Sequence, residues 1–294
     1  MKGYLVTLVS VLALQSSLAL KNLEEPRWKS FQDAELECAK YLFITNKTLQ
    51  RYHISGYPNE PSDQKLMHCI FIYLHAWDKV RQEAKDYVLS QFFIPSTTDC
   101  QYKLHTQECL DQNVASLNIS DTLGRAYQTF QCYYQNYAGI SDEVKWIPYD
   151  FSEIRQTVAD CLRIVPQTPE SLLEYCQGNF THNPDYPQAA YCITVRSGFY
   201  NKSTGIDLEK LYVQYGTNAL LHDHTKACIA GVADQYCKEP DRLIHIVLDC
   251  LRNYLPIVRD ISAGASDVLG NPSECVVPPS PPPQTQPCYN TPCV

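Results

Sequence analysis

The chain has 294 residues, a formal net charge of −8 and 14 cysteines. This mildly acidic balance lacks the basic surface that binds nucleic acids and anionic membranes, so neither is expected as a partner. The cysteine count is even and contains no C-x-x-C, which in a secreted chain indicates a disulfide framework rather than a metal or redox site. We therefore expect no metal and no cofactor.

The first 19 residues are typical of a signal peptide. Lys2 precedes an apolar run from Leu5 to Leu14, and the small residues Ser17 and Ala19 fit cleavage before Leu20. The run is about half the length that spans a bilayer, so we expect secretion to the extracellular space without membrane insertion. Four N-x-S/T sequons begin at Asn46, Asn118, Asn179 and Asn201, and they agree with a secreted glycoprotein.

Cysteine spacing reveals an internal duplication. Thirty residues separate Cys38 from Cys69, and 30 separate Cys161 from Cys192. The next two intervals also match in order: 39 against 35 residues, ending at Cys109 and Cys228, and 22 against 21, ending at Cys132 and Cys250. These intervals predict two copies of one domain over residues 24–140 and 148–268, joined by a linker at 141–147. Residues 269–294 form a tail rich in proline and cysteine.

The spacing of apolar residues predicts helices in both copies. Apolar residues recur with the period of one helix face from Leu66 to Trp77, after the capping residues Ser62-Asp63. Leu243 to Leu255 shows a similar period, and Thr168-Pro169 has the form of a helix start. Strict alternation over a strand length is hard to find. An all-α fold is therefore predicted.

A helical domain with these cysteine intervals resembles the insect odorant-binding proteins of the pheromone and general-odorant type. Tandem copies are similar to the two-domain "atypical" mosquito subclass and to the long salivary D-seven proteins. That family has six cysteines per domain, and the second and fifth are absent as a pair here. Lys65 and Leu123 stand at those positions in the first copy, Gln188 and Asp241 in the second. The resemblance implies about six helices per copy.

It also implies a disulfide pairing. The implied bridges are Cys38–Cys69, Cys109–Cys132, Cys161–Cys192 and Cys228–Cys250. Six cysteines remain, with 15 possible pairings: Cys100, Cys176, Cys237, Cys275, Cys288 and Cys293. Our hypothesis is that Cys176 forms a disulfide with Cys237, and Cys288 with Cys293.

By the same resemblance, the expected function is to carry small hydrophobic or semi-polar ligands, such as odorants, pheromones or lipids, in an apolar cavity. Chemoreceptors or other odorant-binding proteins are candidate partners. Aromatic and aliphatic residues of predicted helices are the candidate ligand contacts: Tyr73, Trp77, Tyr87, Phe92, Tyr127 and Phe130 in the first copy, and Tyr191, Val195, Phe199, Tyr212, Tyr215, Ile246 and Val247 in the second. Trp146 marks a possible pocket at the linker.

Two alternatives stay open at this point. A salivary scavenger of biogenic amines or eicosanoids would need, for an amine, carboxylates inside a pocket. A protein-interaction module would have filled cores. An enzyme is not expected, because His222-Asp223 lacks the neighbouring cysteines and glycine-rich loop of secreted phospholipases, and the chain has no G-x-S-x-G or H-E-x-x-H motif.

Overall fold

The computed structural model describes residues 27–270 and Cys275. The predicted signal peptide and nearly all of the predicted tail, including Cys288 and Cys293, lie outside the described residues. The chain divides into two compact units between Pro148 and Tyr149. Each unit is mainly helical, as predicted, and within the described residues no helix has the length and apolar character needed to cross a bilayer.

The first unit contains six α-helices among its described residues. They are α1 (Phe31–Tyr41), α2 (Asn46–Ser55), α3 (Pro61–Tyr73), α4 (Asp86–Leu89), α5 (Tyr102–Asn113) and α6 (Thr122–Asn136). Ser30 starts α1 with a capping box to Asp33, and Thr45 caps α2. Helix α3 packs against both α1 and α6, so it is the central helix of this unit.

Helix α3 differs from the prediction at both ends. Ser62-Asp63 do not cap it, because the helix begins at Pro61 after Glu60 and Asp63 is buried in the first turn. The helix ends at Tyr73, and Trp77 is in a strand. His75 has a positive φ of 55°, a conformation that no helix interior allows, and this turns the chain out of the predicted helix face.

Short antiparallel ladders complete the first unit. They join β1 (Trp28–Lys29) to β6 (Lys145–Trp146), β2 (Trp77–Asp78) to β3 (Glu83–Ala84), and β4 (Phe93–Ile94) to β5 (Gly139–Ile140). Trp28 pairs with Trp146 in the first ladder. Part of the segment predicted as a linker therefore belongs to the ladders of the first unit.

The second unit repeats the helix order and adds a helix. It contains α7 (Phe151–Ile164), α8 (Pro169–Cys176), α9 (Tyr186–Arg196), α10 (Leu208–Tyr215), α11 (Asp223–Gln235), α12 (Asp241–His245) and α13 (Ile257–Leu269), with β7 (Tyr200–Asn201) paired to β8 (Gly205–Ile206). Thr168 caps α8 as predicted, accepting a 3.1 Å hydrogen bond from the Ser171 N–H. Helix α12 continues as a π-helical turn over Ile246–Leu251, so the helix predicted as far as Leu255 ends earlier.

Disulfides join the helices within each unit. The structure pairs Cys38 with Cys69, Cys109 with Cys132, Cys161 with Cys192 and Cys228 with Cys250. Our guess for Cys176 is wrong: it is bonded to Cys275, and Cys237 is an exposed free thiol. Cys176 ends α8, against which α13 packs. The chain that leaves α13 therefore passes Cys176 rather than Cys237.

Candidate functional site

A cavity of about 70 Å³ lies inside the second unit. Side chains from α7, α9, α10 and α13 surround it, and its surface is almost wholly apolar. The apolar lining includes Ile154, Val158, Ile193, Phe199, Leu211 and Ile261. The volume exceeds the roughly 10–15 Å³ that one water needs, but it is below the roughly 300 Å³ at which ligand pockets begin. A ligand of more than a few heavy atoms therefore requires the wall to move.

Helix α13 closes this cavity and is held tightly against α7. At the crossing, a Cβ added to Gly264 would lie 2.4 Å from Cγ1 of Val158, so only glycine permits this approach. The Ser262 hydroxyl donates a 3.0 Å hydrogen bond to the Tyr175 carbonyl of α8, and Arg155 of α7 pairs with Asp267. With the Cys176–Cys275 bridge, these contacts fix α13 as one wall of the cavity.

One carboxylate reaches the cavity, and its oxygens are already bonded. Asp260 is buried in α13, where Tyr215 donates a 2.9 Å hydrogen bond to Oδ2 and Arg259 donates one of 2.8 Å to Oδ1. Burial raises the pKa of the Asp260 carboxyl, and the Arg259 and Tyr215 contacts oppose that rise. Burial also raises the pKa of Tyr215. The polar groups of Asp260, Tyr215 and Arg259 are therefore hydrogen-bonded to one another.

Two other residues of the cavity wall, Tyr186 and Ser197, have buried hydroxyls with no hydrogen-bond partner among the described residues. Tyr186 Oη and Ser197 Oγ are buried, each on a side chain only 1% exposed. A buried hydroxyl without a hydrogen bond costs about 1–3 kcal/mol. Once the wall moves and brings them into contact with a ligand, a carbonyl, ether or hydroxyl oxygen that accepts their hydrogen bonds would remove that cost.

The predicted contacts of the second copy divide between the cavity wall and other places. Phe199, Tyr215 and Val247 line the cavity. Tyr191 packs instead against an adjoining cluster of Tyr200, Leu243 and Val247, which shares Val247 with the cavity wall, and Val195 is 41% exposed. Tyr212 and Ile246 do not line the cavity either.

The reason is the helical period. On α9 the residues that line the cavity are Tyr186, Ala190, Ile193 and Thr194, so Tyr191 and Val195 lie on adjoining faces. On α10 the residues Leu211 and Tyr215 are four apart and share the cavity face, which turns Tyr212 away from it.

In the first copy, most predicted contacts fill the interior. Phe130 lies 5.9 Å from Phe31 and 4.9 Å from Tyr57 between ring centroids. Trp77 packs on Phe71, Phe92 is fully buried, and Tyr127 donates a hydrogen bond to the Tyr57 carbonyl. We call the rings of Phe31, Tyr57, Phe93 and Phe130 the aromatic core. Of the remaining predictions, Tyr87 is half-buried and Trp146 is buried in β6.

The first unit also has an open groove of about 370 Å³ on its surface. It lies where α1 ends, beside α3 and the start of α6. Its lining is mostly apolar: Tyr41, Leu42, Lys65, His68, Cys69, Ile72, Tyr73 and Leu123. Among the predicted contacts only Tyr73 lies here. The signal that could have identified it is the joint absence of cysteine at positions 65 and 123.

Comparison with known proteins agrees with this architecture. The sequence profile of the PBP/GOBP family matches residues 21–136 and again 145–254. General odorant-binding protein 69 of Anopheles gambiae is 28% identical over 179 residues, which cover 58% of this chain and 76% of that protein. No solved structure matches the chain. Helix α13 begins beyond the second profile match. The chain is a tandem two-domain member of the PBP/GOBP family.

Proposed function

We propose that this protein is an extracellular carrier that binds small, mainly apolar molecules in the cavity of its second domain. The observation that carries the proposal is an apolar cavity whose wall includes Tyr186 and Ser197, two residues with buried hydroxyls that lack a hydrogen-bond partner in the described part of the chain. The family match and the name of the Anopheles relative support binding rather than catalysis.

Displacement of α9 would enlarge the cavity. Helix α9 contributes Tyr186, Ala190, Ile193 and Thr194 to the lining. In the related six-cysteine pattern a disulfide would tie this helix to the segment that starts α12, but Gln188 and Asp241 occupy those positions. Without that crosslink no disulfide joins α9 to α12, and α9 can move relative to α12 while the Cys161–Cys192 bridge keeps it attached to α7. This supports a cavity that adapts to ligands larger than its empty volume.

The polar groups favour a neutral ligand over an amine. An ammonium ligand needs an unpaired carboxylate, whereas both Asp260 oxygens already accept hydrogen bonds. Unpartnered hydroxyls instead suit a neutral oxygen acceptor such as an aldehyde, ketone, ester or alcohol. The amine-scavenger alternative therefore has no support from this cavity. Because the aromatic core fills the interior of the first domain, the proposal applies only to the cavity of the second domain.

Displacement of a fluorescent apolar probe from the oxidised full-length chain tests the proposal. The probe is N-phenyl-1-naphthylamine, with medium-chain ketones and alcohols as competitors. The variant Ala190→Leu fills the cavity from α9 and should weaken probe binding about tenfold or more. Val195→Leu, on the exposed face of the same helix, should leave binding unchanged.

Circular dichroism and thermal melting establish that both variants are folded. If folded Ala190→Leu binds the probe like the parent protein, the cavity is not the binding site. If the folded parent binds no probe, the carrier function itself is wrong.

A further inference from the structure

We propose that the open groove of the first domain is a second binding site, for a long-chain carboxylate of the fatty-acid type. It lies in a different domain from the cavity described above, and it does not depend on the function proposed there. Its volume of about 370 Å³ falls within the usual range of ligand pockets, roughly 300–1,000 Å³.

The groove exists where a crosslink is missing. Lys65 on α3 and Leu123 on α6 occupy the positions at which the resembled family has its second and fifth cysteines, and both line the groove. A disulfide there would join the two helices across the groove floor. Lysine and leucine instead leave an apolar floor with one cationic side chain at its edge.

The apolar part suits a hydrocarbon chain. Leu42, Ile72 and Leu123 supply aliphatic surface, and the rings of Tyr41 and Tyr73 flank it. Ile72 is 39% and Tyr41 60% exposed, so apolar surface faces water that a bound chain would cover. Neighbouring Phe43 is 92% exposed with a positive φ of 55°, which extends the apolar surface beyond the groove.

The charge arrangement selects a carboxylate headgroup. Lys65 forms no ion pair with any carboxylate among the described residues, in contrast to Lys40, which pairs with Glu37 at 2.9 Å. Glu37 is the acidic group beside Tyr41 and also accepts the Tyr41 hydroxyl, so it is already engaged. Lys29 donates a 3.2 Å hydrogen bond to the Tyr73 hydroxyl, which adds a second cation near the groove.

The remaining titratable group on the wall does not oppose an anion. His68 lies half-buried between the groove and Trp77, with the two ring centroids 5.2 Å apart. Burial lowers the pKa of His68, which keeps the imidazole neutral at neutral pH. Among the described residues that line the groove, an anion with an apolar chain therefore meets the unpaired ammonium of Lys65, the neutral imidazole of His68 and no carboxylate.

Isothermal titration calorimetry on the oxidised full-length protein tests the proposal with dodecanoate, 1-dodecanol and dodecylammonium. Dodecanoate should bind more tightly than either equal-length analogue. Its affinity should increase about two- to fourfold per methylene from octanoate to dodecanoate, the value expected for partial burial of each added group.

Charge variants assign the headgroup. Lys65→Gln should weaken dodecanoate about two- to fivefold, as expected for an exposed ion pair. Lys65→Glu should reverse the preference, so that dodecylammonium binds more tightly than dodecanoate. Lys47→Gln, an exposed lysine on α2 of the same domain, is the matched control and should have no effect. A reversal of preference also shows that the variant is folded.

Two results would overturn the proposal. One is equal binding of dodecanoate and dodecanol by the parent protein with no response to Lys65→Glu. The other is loss of dodecanoate binding in Ala190→Leu, which would place the fatty acid in the second-domain cavity. Failure of the groove leaves the cavity proposal intact, and the reverse also holds, because each set of variants changes only one domain.

Discussion

Tyr215 of α10 donates a 2.9 Å hydrogen bond to Oδ2 of Asp260 in α13. Helix α10 is the counterpart of the short helix α4 of the first domain. Helix α13 has no counterpart among that domain's described residues. Together with the bond from Arg259, it gives both oxygens of Asp260 a hydrogen-bond donor. Asp260 is the only carboxylate among the described residues that lines the cavity. The second domain therefore differs from the first through α13.

Removing the Tyr215 hydroxyl should destabilise the second domain. In Tyr215→Phe, Asp260 keeps Arg259 as its partner but loses a hydrogen bond to a charged group, which is worth about 1.5–3 kcal/mol. Thermal melting followed by circular dichroism should show a lower midpoint for one of the two domain transitions. Tyr191→Phe, in the neighbouring cluster, is the control and should change the midpoint little. Equal effects of the two substitutions would contradict the assigned role.

The crossing of α13 and α7 depends on Gly264. Gly264→Ala places a Cβ 2.4 Å from Val158 Cγ1 and 3.0 Å from the Ala159 nitrogen. Overpacking of this kind costs about 1–3 kcal/mol or more, and α13 should move away from α7, lowering the melting midpoint of the second domain. Val158→Ala in the same chain removes the closest contact and should restore part of the loss.

A matched glycine in the same domain should respond with the opposite sign. Gly231 lies on α11, and a Cβ there meets no atom within 4 Å. Gly231→Ala should stabilise the domain by up to about 1 kcal/mol through helix propensity. If both glycine substitutions raise the midpoint, the close approach of α13 to α7 is wrong.

Asp63 should make the first domain less stable at neutral pH than at acid pH. The carboxylate is fully buried, and among the described residues neither oxygen has a partner within hydrogen-bonding distance and angle. Burial raises its pKa from 3.8 to about 6, and contacts with the Glu60 backbone and the Tyr52 hydroxyl offset this only in part. A folded pKa above the unfolded one means that the stabilisation is complete below about pH 4 and is lost as the pH rises through about 6.

The variant Asp63→Asn should remove this dependence. A shift of about two pKa units corresponds to about 3 kcal/mol, so the variant should exceed the parent in stability at pH 7.5 and match it near pH 4. Denaturant unfolding at both pH values provides the measurement. Asp142→Asn, an exposed carboxylate in the same unit, is the control. Lower stability of Asp63→Asn at pH 7.5 would show that the ionised group stabilises the start of α3.

Peptide mapping should distinguish the two pairings of Cys176. Digestion of the oxidised protein after alkylation should yield Cys176 linked to Cys275 and alkylated Cys237. Cys176→Ala with Cys275→Ala opens a loop of 99 residues, which by chain entropy costs about 4–5 kcal/mol. Cys237→Ser should leave stability unchanged. A peptide that links Cys176 to Cys237 would reverse this assignment.

Several features of the fold could be predicted from local sequence. Cysteine spacing indicated the duplication, and the family resemblance implied four bridges that the structure contains. The cap at Thr168 was identified because its contacts lie within four residues along the chain. Helix ends that depend on an unusual backbone conformation could not be predicted in this way. The spacing of apolar residues does not reveal the positive φ at His75, so the predicted helix extends beyond the observed end of α3 at Tyr73.

The positions of the cavity and the groove depended on tertiary structure. Tyr191 and Ala190 are neighbours in sequence, but the packing of α9 against α7 and α12 decides that alanine faces the cavity and the larger ring does not. Composition likewise favoured aromatic pocket walls in the first copy, where Phe130 and Tyr57 instead pack on each other.

The sequence by itself determined the two-domain helical framework, because cysteine spacing and apolar periods depend on residue types at short or regular separations. The family resemblance that the same spacing carries then implied four of the disulfides. The tertiary structure alone decided where the cavity of the second domain lies, where the groove opens between Lys65 and Leu123, and that α13 closes the second domain through Gly264. Each of these depends on how close two helices approach and which faces they turn to one another, and contacts distant in the chain set both quantities.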